Sequence, residues 1–284
     1  MVKKIIQITV LSFLFMGATT LDIFGLSTAR DTTDKKIEPC SMQNNVFNHG
    51  EKAVYTLYYK MGFVWIAAGT ATFNVEERDN DFRLSAVGTT FPGYEWVFKV
   101  EDKFESHISK ETMLPHTAIR DIHEGNYTLW EKVNFNQDNR SAEYHRGRTV
   151  DSTNMEEYSL EGCMHDVLSI IYFTRNIDFS QFDKGDSFPV SIFLDKETYN
   201  LNVKYQGEEN DVKVKGLGRF NTIKFSPQVI GGDVFEEDSQ MEIYASNDAN
   251  KLPLMINSPL KVGSVRAVLT EYNGLKYDMS SQLK

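Results

Sequence analysis

The densest group of reactive side chains in this chain is Cys163, His165 and Asp166, a thiol, an imidazole and a carboxylate standing almost side by side. A thiolate next to a histidine is the arrangement of a nucleophile, or two members of a metal-ligand set. A zinc site needs three or four ligands, which this group does not supply by itself. The remaining cysteine, Cys40, offers the other reading, a Cys40–Cys163 disulfide, if the chain reaches an oxidising compartment. A second group gathers His116, Arg120, Asp121, His123 and Glu124, with Asp102 and Glu105 upstream. Paired carboxylates are the machinery of glycoside hydrolysis, and histidine with carboxylate serves acid–base or metal chemistry. On a strand, however, His116 and His123 lie an odd number of residues apart and face opposite sides, and a solvated sheet face explains abundant carboxylates without catalysis.

No Gly-x-Ser-x-Gly elbow, phosphate loop ending in Gly-Lys-Ser/Thr, His-Glu-x-x-His or calcium loop occurs. Gly216-Leu217-Gly218 lacks a third glycine and a following helix, and reads as a kink or turn. Asp248 and Asn250 read as turn residues whose side chains bond local backbone, not as metal ligands. No catalytic residue, metal or cofactor is therefore assigned. Aromatic residues are the remaining candidates: Trp65, Phe91, Tyr94, Trp96, Phe98 and Trp130, with Pro92-Gly93 turning the middle of the group into a corner. Flat rings stack on glycans, lipids and peptides while excluding water. Phe91, Tyr94, Trp96 and Trp130 are the candidate ligand-binding residues, and the competing reading has these rings filling a wide β core.

The elements that must carry these residues are mostly strands. Ala71, Phe73 and Val75 alternate with polar neighbours, Phe82, Leu84 and Ala86 repeat the pattern after Asp79-Asn80-Asp81, and similar alternation runs to Tyr272. Strands are expected near 54–59, 95–108, 117–122, 127–135, 142–145, 188–194, 199–205, 212–214, 220–225, 241–245, 252–256 and 262–272. Between 166 and 176 the spacing of Val167, Ile170 and Ile171 becomes helical, with Asp166 as N-cap, and the polar stretch 147–162 is expected to be a surface loop. The fold class is mainly β: a curved antiparallel sheet closing into a barrel or a half-barrel/sandwich, with one packed helix near 166–176.

Met1-Val2-Lys3-Lys4 precedes an apolar run to Met16 broken by Gln7, Thr9 and Ser12, the layout of a secretory leader. Ser27-Thr28-Ala29 supplies the small residues for cleavage after Ala29, with Gly17-Ala18-Thr19 as the competing site. Asp22 comes too early for a membrane span of about 20 apolar residues. The expected organisation is a signal peptide at 1–29, an N-terminal arm at 30–46 and one β-rich domain at 47–284, soluble in the periplasm or cell envelope after processing. Cys40 stands too far beyond the apolar run for a lipid anchor. The net charge is −10, and with no basic patch the chain has no footprint for nucleic acid.

Phe47-Asn48-His49-Gly50-Glu51, Tyr55-Thr56-Leu57-Tyr58-Tyr59 and Ala67-Ala68-Gly69 resemble the opening of the bacterial envelope proteins grouped as domain of unknown function 3108. Asp195-Lys196-Glu197-Thr198-Tyr199, then Ser246-Asn247-Asp248-Ala249-Asn250-Lys251-Leu252-Pro253-Leu254 and Val262-Gly263-Ser264 resemble its closing half. The resemblance runs from about Phe47 to Asp278 and implies an exported β-rich protein, with no activity, cofactor or catalytic residue attached. Three functions are carried forward: a non-catalytic periplasmic or envelope protein binding an apolar or polymeric envelope ligand on a β surface; an envelope glycan or lipid hydrolase using Asp102, Glu105 and Asp121; and an assembly factor whose partner is another envelope protein.

Overall fold

The computed structural model describes residues 40–95, 99–228, 240–260 and 263–284. The expected leader at 1–29, the arm up to 39, and Trp96 with Phe98 lie outside the described residues. Within them, fifteen strands make one antiparallel sheet. The strands are β1 (Lys52–Met61), β2 (Val64–Glu77), β3 (Asp81–Thr90), β4 (Glu101–Ser109), β5 (Pro115–Glu124), β6 (Tyr127–Asn136), β7 (Ser141–Gly147), β8 (Asn154–Ser159), β9 (Ser187–Leu194), β10 (Glu197–Val214), β11 (Gly218–Pro227), β12 (Glu242–Ser246), β13 (Pro253–Pro259), β14 (Ser264–Asn273) and β15 (Gln282–Leu283).

Two meanders, β1–β8 and β9–β14, are joined where β1 pairs with β14, Thr56 opposite Val268. The first and last long strands thus meet in the middle of the sheet, and β15 adds to β11. The ladder stops at β8 and β9, so the sheet is not closed and the half-barrel reading of the sequence holds. The connection between those edges narrows the gap: His165 N donates to Ser191 O (3.0 Å) and Phe193 N to His165 O (2.9 Å), a parallel bridge. Glycine is required where β2 bends, since a Cβ at Gly69 would stand 2.1 Å from Thr89 O.

Alternation sends one set of side chains inward. Tyr55 and Leu57 on β1, Leu84 and Ala86 on β3, Phe104 and Ile108 on β4, and Val190 and Ile192 on β9 are all buried. The helix α1 (Ser169–Arg175) packs on this concave face. The helix starts later than expected, with Leu168 and not Asp166 as its N-cap. Asp166 holds the turn before it, its carboxylate accepting from the N–H of Leu168 (2.8 Å) and Ser169 (3.2 Å) and from Ser106 Oγ of β4 (2.6 Å). The Cys40–Cys163 disulfide is formed, with Cα atoms 5.3 Å apart. It consumes the thiol, so Cys163 is not a nucleophile.

Three expectations about elements are corrected. The loop expected at 147–162 contains a 3-10 turn at Val150–Ser152 and the edge strand β8. Almost every β8 side chain is exposed, so no buried alternation marks it, and its ladder with β7 is a backbone matter. The separate strands expected at 199–205 and 212–214 are one strand, β10, whose register slips near Gly207 and Asp211. The strand expected from Glu95 begins at Glu101, after a 3-10 turn at Pro92–Tyr94.

Candidate functional site

The site begins with the shortness of α1. Its seven residues cover only part of the concave face, and small inward residues opposite it, Ala53, Ala71, Ala245 and Ala267, leave space that larger side chains would fill. Two adjoining cavities result, of about 60 and 110 Å³, room for several waters where a single one needs roughly 10–15 Å³. Both are walled by Ile171, Arg175, Met241, Pro253 and Ile256. The first extends along β1 and β2 past Tyr55, Leu57 and Phe73, and the second towards Phe188, Val190, Leu201 and Val203 on β9 and β10. An aromatic cluster ends the second, with Phe179 and Phe225 ring centroids 4.5 Å apart.

The polar groups in these walls are few and placed by identifiable contacts. Arg175 Nη1 and Nη2 donate to the Glu51 carboxylate at 2.6 and 3.0 Å, and Nε donates to Asn250 O at 3.1 Å. Tyr55 donates to Pro253 O at 2.8 Å, and burial holds its hydroxyl neutral. Ser258 Oγ is buried with no hydrogen-bond partner among the described residues. Lys251 also lines the second cavity, and burial pulls its ammonium below the ordinary lysine range.

Lys251 is positioned by the Ser246–Pro253 segment. Asp248 Oδ1 accepts from Ser246 Oγ (2.8 Å) and Asn250 N (3.0 Å), while Oδ2 accepts from Ser281 N (3.2 Å) and Oγ (2.7 Å). Asn250, fully buried, donates to Tyr277 O (3.0 Å) and Asp278 O (3.3 Å) and accepts from Tyr277 N (3.1 Å). These two residues do the local turn work expected of them, and also clamp the C-terminal segment to the sheet. The clamp holds Lys251 at φ 44°, with the preceding carbonyl turned to Arg175.

The other end of the concave face carries charge. Arg120 bonds Glu131 and Asp195 (2.5 Å to the latter), and Arg146 reaches Glu131 at 3.0 Å and Asp195 at 3.3 Å. Tyr144 donates to Glu131, and burial with that neighbouring carboxylate raises its pKa. Asp195 comes from the β9–β10 turn, where Asp195 and Lys196 both have positive φ, the geometry of a tight hairpin. Asp102 is fully buried, its Oδ1 accepting from His123 N at 3.0 Å, and burial pushes its carboxyl up to about 7. Burial holds His165 down to about 3, so its ring is neutral.

The carboxylates considered for hydrolysis are split by the strand period. Asp102 and Glu124 are buried, whereas Glu105 engages Arg83 and His107, and Asp121 bonds His123 (2.8 Å) near the exposed surface. His116 on β5 meets His107 on β4 and, across it, Asp81 on β3, not His123.

Of the aromatic residues, Tyr94 is exposed in the 3-10 turn, Phe91 is half-buried beside it, and Trp130 is half-buried on β6. Trp96 lies outside the described residues. The two cavities have other walls. The cavity-lining residues carried no signature in sequence, because an inward alanine and an inward valine look equally apolar. The buried charges did carry one: Glu131 alternates in phase with Leu129, Val133 and Phe135, and Asp102 with Phe104 and Ile108.

Among solved structures, a β-barrel-like protein of the domain of unknown function DUF1849 from Brucella abortus is similar over 82% of this chain and 100% of its own, with TM-score 0.55 and 9% identity. That likeness is one of fold. A putative lipoprotein from Parabacteroides distasonis aligns over 82% of this chain and 99% of its own, with TM-score 0.28 and 11% identity. No curated protein matches the chain. The sequence profile of the family described as "Protein of unknown function (DUF3108)" matches residues 54–270, and the chain belongs to that family.

Proposed function

We propose that this is an exported, non-catalytic envelope protein that holds an apolar or amphipathic molecule, of the acyl-chain class, in the cavity between α1 and the sheet. The observation that carries the reading is a pair of adjoining, almost wholly apolar cavities whose walls hold, among the described residues, the single ion pair Arg175–Glu51. A protein core would be expected to pack without such space, and a few placed polar groups in an apolar cleft are what ligand sites provide. Lys251, at the wall with no salt bridge among the described residues, supplies a cation for an anionic head group. The Cys40–Cys163 disulfide supports an oxidising compartment.

Native mass spectrometry of protein purified from its own envelope tests this. A co-purifying mass that extracts into organic solvent and fragments as an acyl lipid is expected, and its loss from Ile171→Trp but not Tyr94→Ala places it in the cavity. Loss from Tyr94→Ala alone would move the site to the aromatic corner. A retained glycan, a co-purifying polypeptide or an empty protein would overturn the reading.

A further inference from the structure

On the convex face of the same sheet, three adjacent strands bring together residues that the cavity does not use. Asp81 opens β3, His107 lies on β4 and His116 on β5. Asp81 Oδ2 stands 3.0 Å from His116 Nε2 and 3.3 Å from His107 Nδ1, and the three ligand atoms all lie within 4.8 Å of one another. We propose that Asp81, His107 and His116 form a binding site for a divalent transition-metal ion of the zinc class.

Tetrahedral zinc with bonds of about 2.0–2.1 Å sets its ligand atoms about 3.3 Å apart. Two of the three spacings already meet that figure, and the third needs only a side-chain adjustment, since His116 is half exposed. Behind the ligands stands a second layer. Glu105 Oε1 is 2.7 Å from His107 Nε2, and Thr117 Oγ1 is 3.4 Å from His116 Nδ1. Each imidazole therefore has an oxygen at the nitrogen that would not bind metal, which is how metal-bound histidines are oriented. Asp81 Oδ1 is buried and has no hydrogen-bond partner among the described residues, so the carboxylate keeps an unused oxygen. Arg83, two residues further along β3, is engaged by Glu76 and Glu105. Two imidazoles and one carboxylate select zinc, copper or nickel over calcium or magnesium, which take oxygen ligands. Three protein ligands leave a fourth position open to solvent.

Chelator-treated, tag-free protein titrated with Zn²⁺ alone by calorimetry is the test. One saturable equivalent is expected. His107→Ala and His116→Ala should each weaken binding at least about tenfold, with the far-UV spectrum unchanged, and His123→Ala should bind as wild type does. Co²⁺ in place of Zn²⁺ should give the visible absorption of a tetrahedral ion, lost in the same two variants. Absence of zinc binding by the wild type, or binding that survives the His107→Ala/His116→Ala double substitution, would overturn the proposal and leave the cluster as a hydrogen-bonded network.

Discussion

The concave face of one sheet is built in two ways. Beside β1, β2 and β9–β14, inward positions are mostly aliphatic or aromatic with alanines and a few small polar residues such as Ser258 between them, and space is left under α1. Beside β4–β7, inward positions include Asp102, Arg120, Glu131 and Tyr144, and the space is occupied by paired charges that also grip Asp195 from the far edge. Charged groups have long side chains and must find partners once buried, so they draw the walls together. Alanines make no such demand. The same alternating pattern therefore gives a tighter end, whose cavity is about 20 Å³, and an open end that holds the two apolar cavities of about 60 and 110 Å³.

The largest effect should come from Arg175–Glu51, the ion pair that lines the open end. Glu51→Gln leaves Arg175, itself buried, without a counter-charge, and should cost about 3–5 kcal/mol in urea unfolding. At the charged end Glu131→Gln should cost less, about 2 kcal/mol, because Arg120 keeps Asp195 at 2.5 Å. Equal losses would break the distinction between an isolated pair and a network.

A smaller and pH-dependent effect belongs to Asp102. Burial places its carboxyl at about 7, against about 3.9 in an unfolded chain. The folded protein keeps a proton that the unfolded chain gives up between those values. Its contribution is thus complete below about pH 4 and lost as pH rises through 7, with a ceiling of about 4 kcal/mol. Asp102→Asn should lack this fall, so the difference in stability between the two proteins changes from pH 5 to pH 8 in favour of the variant. His165, held down to about 3, acts in the opposite sense as pH falls, and it cancels because both proteins carry it. Parallel curves would contradict a buried, proton-holding Asp102.

Much of the fold was legible because period-two alternation reports a half-buried strand directly, and residues such as Phe82, Leu84 and Ala86 show it without interference. The edge strand β8 was not, since exposure on both faces removes the pattern. The disulfide followed from having just Cys40 and Cys163. The site was less legible for two physical reasons. A cavity is a deficit of volume between residues far apart in sequence, such as Ala53, Ile171 and Ile256, and no local pattern records a deficit. The Asp81–His107–His116 cluster depends on lateral strand register, so His116 reads as isolated until β4 is set beside β5.

The direct test of the cavity as a ligand site is a titration with an environment-sensitive fluorescent fatty acid, comparing wild type with Ile171→Trp, whose indole would occupy the space both cavities share. The account predicts saturable one-to-one binding by wild type, abolished in Ile171→Trp while its unfolding midpoint stays close to that of wild type. Equal probe binding by the two proteins, or none by the delipidated wild type, would contradict it.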